Sequence, residues 1–174
     1  MKIALCLLPL LLATPVLAQG TPPPGCTSAE SHQFDFWVGD WEVFPASNPG
    51  IKIADSHIEK LYMGCAVREN WMPLATRAQG GGGGSLNAYN PQTGKWRQTW
   101  LDSSGVFADF TGGWNGKAMV IQGVWPQPGK PTQMTRMTYT PHADGSVEQA
   151  GETSDDNGAT WQASFDLIYR HPKA

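Results

Sequence analysis

The chain has 174 residues, with 12 Lys+Arg against 15 Asp+Glu and a formal net charge of −3. That length fits one domain, and the acidic balance excludes a nucleic-acid binder that relies on neutralising phosphates. Eight Trp, six Phe and four Tyr beside 20 Gly and 14 Pro exclude a helical bundle and a disordered polymer, and favour aromatic strands joined by many turns.

Met1 and Lys2 make a positive start, and Ile3 to Leu12 an apolar run too short for a stable bilayer crossing. Val16, Leu17 and Ala18 suit a processing site, so residues 1–18 read as a signal peptide cut after Ala18. The mature protein is expected to be exported, either periplasmic or secreted. Cleavage removes Lys2 and makes the balance one unit more negative. A lipid anchor would need a cysteine directly after the apolar run, whereas Cys6 lies inside it and Cys26 follows Thr21-Pro22-Pro23-Pro24. No later run reaches the roughly twenty apolar residues of a membrane helix. With Cys6 discarded, Cys26 and Cys65 are left in an oxidising compartment and are expected to form a disulfide. A zinc or redox pair would want CxxC spacing and histidine neighbours. Residues 19–33 read as a Pro-rich tail and 34–174 as a single β domain.

Within that domain, short alternating or aromatic runs are separated by turn chemistry, and no window has helical amphipathicity. The predicted strands are Gly39 to Phe44, Ser56 to Leu61, Cys65 to Trp71, Ser85 to Tyr89, Lys95 to Leu101, Val106 to Trp114, Ala118 to Trp125, Thr132 to Thr140, Ser146 to Thr153 and Thr160 to Arg170. Only Ser31 to Trp37 offers a helical turn. Breakers such as Asn90-Pro91-Gln92-Thr93-Gly94, Asn115-Gly116 and the Pro126 to Pro131 stretch are short, so neighbours should pair antiparallel in a meander. At the first strand, Gly39-Asp40-Trp41 argues for closure: Gly39 lets the chain bend into a barrel, and Trp41 points inward as a plug. Arg170, closing the last strand, is expected to lie across the Trp41 indole. The expectation is an all-β, antiparallel up-and-down meander of about ten strands closed into a barrel.

The stretch Phe34-Asp35-Phe36-Trp37-Val38-Gly39-Asp40-Trp41-Glu42-Val43, then Gly64-Cys65 leading to Glu69-Asn70-Trp71, Trp96 to Trp100 followed by Asp102, and Thr160-Trp161 to Tyr169-Arg170, resembles a family of exported bacterial proteins with a calycin (lipocalin-like) barrel. The resemblance covers most of the mature chain. It implies a calycin-like fold and export; as a domain of unknown function, the family brings no catalytic residues to carry over.

Ser154-Asp155-Asp156-Asn157-Gly158-Ala159-Thr160-Trp161 matches an Asp-box pattern. A single copy in a chain this short is no propeller, and its mechanics are those of a hairpin staple: an Asp accepting backbone N–H groups, a Gly at positive φ and a Trp beneath. A calcium site there would lack the EF-hand spacing and its distal Glu. Gly80 to Gly84 is followed by no Lys-Ser/Thr and no helix, so it reads as a mobile rim loop rather than a phosphate cradle.

Since side chains two apart on a strand share a face, Glu69 lies with Val67 and Trp71, Asn87 with Ser85 and Tyr89, Gln98 with Trp96 and Trp100, Arg136 with Met134, and Gln149 with Val147. Turned inward, these faces would build a polar cluster walled by Trp and Tyr, with Glu69 paired to Arg136 because buried charges need partners. That is a pocket for a small hydrophobic or amphipathic ligand stacked on Trp71 or Trp100; the alternatives are a purely structural polar network, or faces assigned the wrong way round. No nucleophile elbow or zinc helix motif occurs, so no catalytic residue is assigned. His32, His57, His142 and His171 are scattered, and no metal or cofactor is expected; haem at His171 would need a buried histidine, and a terminal one is ordinarily solvated. The leading expectation is therefore an exported monomeric binding protein without a membrane span, followed by a small hydrolase or isomerase using Glu69 and Arg136, and then by an envelope protein-binding module.

Overall fold

A computed structural model describes residues 25–126 and 133–173. The expected signal peptide over residues 1–18, the Thr21 to Pro24 tract and most of the Pro126 to Pro131 turn lie outside the described residues. Ten strands, β1 (Gly39–Pro45), β2 (Ala54–Leu61), β3 (Ala66–Pro73), β4 (Gly83–Asn90), β5 (Lys95–Asp102), β6 (Phe107–Trp114), β7 (Met119–Trp125), β8 (Gln133–Pro141), β9 (Val147–Ser154) and β10 (Gln162–Arg170), follow one another in sequence order. Each pairs antiparallel with the next, and β1 closes on β10, with Val43 opposite Tyr169. The expected closed up-and-down barrel is thus present, and its strand ends agree with the sequence reading to within two residues.

The turns explain the meander. At Asn90, Asn115 and Asp144 a side-chain oxygen accepts a backbone N–H two residues on, at 2.9, 2.9 and 3.0 Å, so each of these three chain reversals is capped by one of its own side chains. The Asp-box hairpin works the same way. Asp156 accepts from Ser154 Oγ (2.8 Å), Thr160 N (2.8 Å) and Thr160 Oγ1 (2.5 Å), and these donors, with the Thr160 hydroxyl foremost, hold its carboxyl down at about 2. Asn157 and Gly158 both take positive φ, and Trp161 Nε1 donates to Gly158 O at 3.1 Å.

Short 3-10 turns over Ala29–His32 and Asp35–Trp37 lie across one end of the barrel. They insert Phe34 and Trp37, 1% and 0% exposed, into a cluster with Trp41, Trp96 and Tyr139. A Cys26–Cys65 disulfide fastens this segment to the start of β3. Trp41 is the expected plug, but Arg170 does not cover it. Tyr169 points inward and is fully buried, so alternation turns Arg170 outward, where it lies 5.2 Å over the Phe44 ring and donates to Pro49 O. The residue stacked on Trp41 is His171, 4.0 Å away and nearly parallel. Gly39 makes room for it: its φ is 150°, and a Cβ there would stand 3.1 Å from His171 Cε1.

The glycine run is only partly a loop. Gly80 ends a 3-10 turn, whereas Gly83 and Gly84 belong to β4. A side chain at Gly83 would collide with the Trp100 indole, so the glycine there serves to seat a tryptophan.

Candidate functional site

With one end filled by aromatics, the interior has two further levels: a band of polar side chains across the middle and a chamber above it, at the end where β3, β5 and β7 finish. The polar band is a closed circuit. Ser85 Oγ donates to Glu69 Oε2 (3.3 Å), Asn87 Nδ2 to Ser85 Oγ (3.0 Å), and Gln98 Nε2 to Asn87 Oδ1 (2.7 Å) and Tyr139 Oη (3.4 Å). Gln149 Nε2 donates to the same Tyr139 Oη (3.0 Å), and Tyr169 Oη donates to Gln149 Oε1 (2.7 Å), which brings the ring back to within 3.4 Å of Glu69 Oε1, its one long contact. Ser56 Oγ adds a 3.0 Å bond to Glu69 from β2. The amide of Asn87 also reaches Val67 O at 3.0 Å, tying the circuit to the strand backbone. Strand alternation has placed these polar groups at one height, where each satisfies the next.

The chamber has a volume of about 160 Å³. Its floor is Glu69, Gln98, Gln149, Tyr139 and Tyr169; its walls are Trp71, Trp100 and Trp125, closed by Met137, Phe165 and Leu167. Trp100 is fixed by Nε1 donating to Asp102 at 3.0 Å, and its ring centroid is 6.3 Å from that of Trp125. Phe165 follows a bulge between Ala163 and Phe165 in β10 and faces Gly151, whose missing side chain leaves the space its ring occupies.

Glu69 is the electrostatic centre of this chamber. It is 5% exposed, and burial pushes its carboxyl up to about 7 against the opposing pull of the Ser56, Ser85 and Tyr169 hydroxyls. Burial, followed by the nearby Glu69 charge, also raises the Tyr139 and Tyr169 phenols. A carboxyl that changes charge near neutrality, among aromatics, can accept a proton or a hydrogen bond from whatever enters. Among the described residues, no group of three or more His, Cys, Asp or Glu side chains is placed to hold a metal ion.

Of the residues expected to line a pocket, Glu69, Trp71, Gln98, Trp100 and Gln149 do so. Asn87 is buried one step below, within the polar circuit. Tyr89 and Trp96 belong to the plugged end: their rings are 6.2 Å apart, and Trp96 Nε1 donates to Gln33 at 3.1 Å. Arg136 is on the other side of the wall. In β8 the inward residues are Thr135, Met137 and Tyr139, which leaves Arg136 outside, bonded to Glu152 at 2.7 Å and 4.2 Å over the Trp161 ring. The expected Glu69–Arg136 pair is therefore absent. Accordingly, Arg136→Ala should cost about 1 kcal/mol by loosening the β9–β10 hairpin and leave the Glu69 titration unmoved, measured by denaturation and by carbonyl-region NMR. Ser56, Trp125, Met137, Tyr139, Phe165, Leu167 and Tyr169 are site residues that the sequence reading misses; inward alternation along the strands of the barrel is the available signal for the tyrosines.

No protein-family model and no curated protein matches this chain.

Proposed function

We propose that this protein is an exported binding protein for a small, largely apolar molecule that occupies the chamber above the polar circuit. One observation carries the reading: a cavity of about 160 Å³ walled by three tryptophans over a polar floor. Apolar cavities of roughly 150 Å³ take up a benzene-sized ring, and ligand sites combine apolar walls with a few placed polar groups. Export, to the periplasm or beyond, draws support from the signal-like start and from the Cys26–Cys65 disulfide. Among the described residues no helix is long and apolar enough to cross a membrane, which is compatible with that reading. The likeness of the sequence to exported calycin-like proteins points the same way. With Arg136 outside the barrel, the hydrolase or isomerase reading loses the cation it required.

Because Trp71, Trp100 and Trp125 form the walls, occupancy should be visible in tryptophan emission. Titration with toluene and with benzyl alcohol is expected to give a saturable change, abolished when Leu167→Trp fills the space. No saturable response to either, with the filled variant indistinguishable from the parent, would overturn the proposal.

A further inference from the structure

Resting on the reading of the chamber as a ligand site, we infer that the polar end of the ligand is a protonated amine seated on the Glu69 carboxylate, with its apolar body against Trp71 and Trp100. An ionised carboxylate offers about four lone-pair sites to donors. Ser56 Oγ and Ser85 Oγ fill two of them, at 3.0 and 3.3 Å. Tyr169 Oη has a single proton, and the 2.7 Å bond to Gln149 Oε1 takes it in preference to the 3.4 Å contact with Glu69. Among the described residues, no Lys, Arg or His side chain forms an ion pair with Glu69. The carboxylate therefore meets the chamber with acceptor capacity unfilled and its charge uncompensated, which is costly in an apolar surround and is relieved by a cation.

The rest of the floor selects against the opposite charge. Both N–H groups of Gln98 are engaged, by Asn87 and Tyr139; those of Gln149 are engaged by Tyr139 and, at 3.4 Å, by the Met137 sulfur. A ligand carboxylate or phosphate would find no spare amide donor there and no cation, only Glu69 itself. An alcohol could donate one hydrogen bond but would leave the charge unanswered. An ammonium group donates up to three and is further favoured by the faces of the surrounding indoles.

The groups facing Glu69 are Ser56 and Ile58 of the neighbouring β2, Ser85 of the neighbouring β4 and, from across the barrel, Gln149 of β9 and the phenols of Tyr139 and Tyr169, which burial keeps protonated. Glu69 alone among them changes charge near neutrality, so amine binding should strengthen as pH rises through that region. Calorimetric titration of the intact protein with benzylamine, benzyl alcohol, toluene and benzoate, at about pH 8.5 and about pH 5.5, tests this. Benzylamine is expected to bind at least about tenfold more tightly than toluene or the alcohol at the higher pH, and to lose about tenfold at the lower. Benzoate should not bind. Glu69→Gln should reduce benzylamine to the level of the alcohol while toluene binding persists. Should that variant fail to fold, the pH pair on the unaltered protein still decides. Benzylamine no tighter than toluene at the higher pH, or unaffected by Glu69→Gln, overturns the amine assignment and leaves the chamber as a ligand site; failure of all four to bind overturns both.

Discussion

Replacing Glu69 with Gln is expected to stabilise the ligand-free protein by roughly 3 kcal/mol near pH 8 and to leave it almost unchanged near pH 4. The direction follows from linkage. In the folded protein burial raises the Glu69 carboxyl to about 7, above its ordinary value of 4.5. Between those two values the folded state holds a proton that the unfolded chain has released, so stability falls as pH rises through the interval. Below it, both states are protonated and the group is neutral in effect. Above it, folding must bury a bare carboxylate, and the full penalty is present, at about 1.4 kcal/mol for each pH unit that the interval spans. Gln has nearly the same shape and can still meet the Ser56 and Ser85 hydroxyls, but carries no charge. Denaturant unfolding of both proteins across this range would check it: the difference between them should open from near zero to its plateau around neutrality. Parallel stability curves would mean that Glu69 is not desolvated as described.

Trp41→Ala is expected to cost about 3 to 5 kcal/mol, the range for emptying the site of a large buried aromatic. Trp41 is 2% exposed, and three separate partners depend on it. Its Nε1 donates to Trp37 O at 2.9 Å, holding the 3-10 segment in place; its edge meets the Tyr169 ring at 6.2 Å; and its face carries His171. Small neighbours could not collapse into the void, because Tyr169 and Trp37 are themselves fixed by other contacts. Trp41→Phe should cost distinctly less, since it retains a ring and gives up mainly the indole hydrogen bond. Equilibrium denaturation measures both, and a loss below about 1 kcal/mol for the alanine variant would contradict a plugging role.

The barrel is legible because two short-range signals agree along the chain: period-2 alternation in the strands, and Asn, Asp and Gly at the reversals. The polar circuit is legible too, since Glu69, Gln98 and Gln149 each interrupt an otherwise apolar face and Asn87 stands between Ser85 and Tyr89 on another. The two arginines are misplaced through parity. β8 carries a methionine on each face, Met134 outside and Met137 inside, so the pattern alone could not choose which side held Arg136. Arg170 suggests a plug partner by its position at the strand end, yet its neighbour Tyr169 already claims the inward direction. Phe165 and Leu167 share the inward face of Tyr169 on the C-terminal side of the β10 bulge, so they could be found only once Tyr169, rather than Arg170, was taken as the inward residue. That Glu69 stands without a cation could not be read at all, because a partner could have come from any other strand.

The Cys26–Cys65 bridge changes what kind of motion can uncover the base of the barrel. Residues 26–65 form a covalent macrocycle that includes the segment bearing Phe34 and Trp37, and that segment runs directly into β1 at its other end. An N-terminal arm held only by packing could swing clear like a door. This one is pinned on both sides, so it can leave its seat only by bowing outward between fixed points, and on relaxing it is returned to the same place.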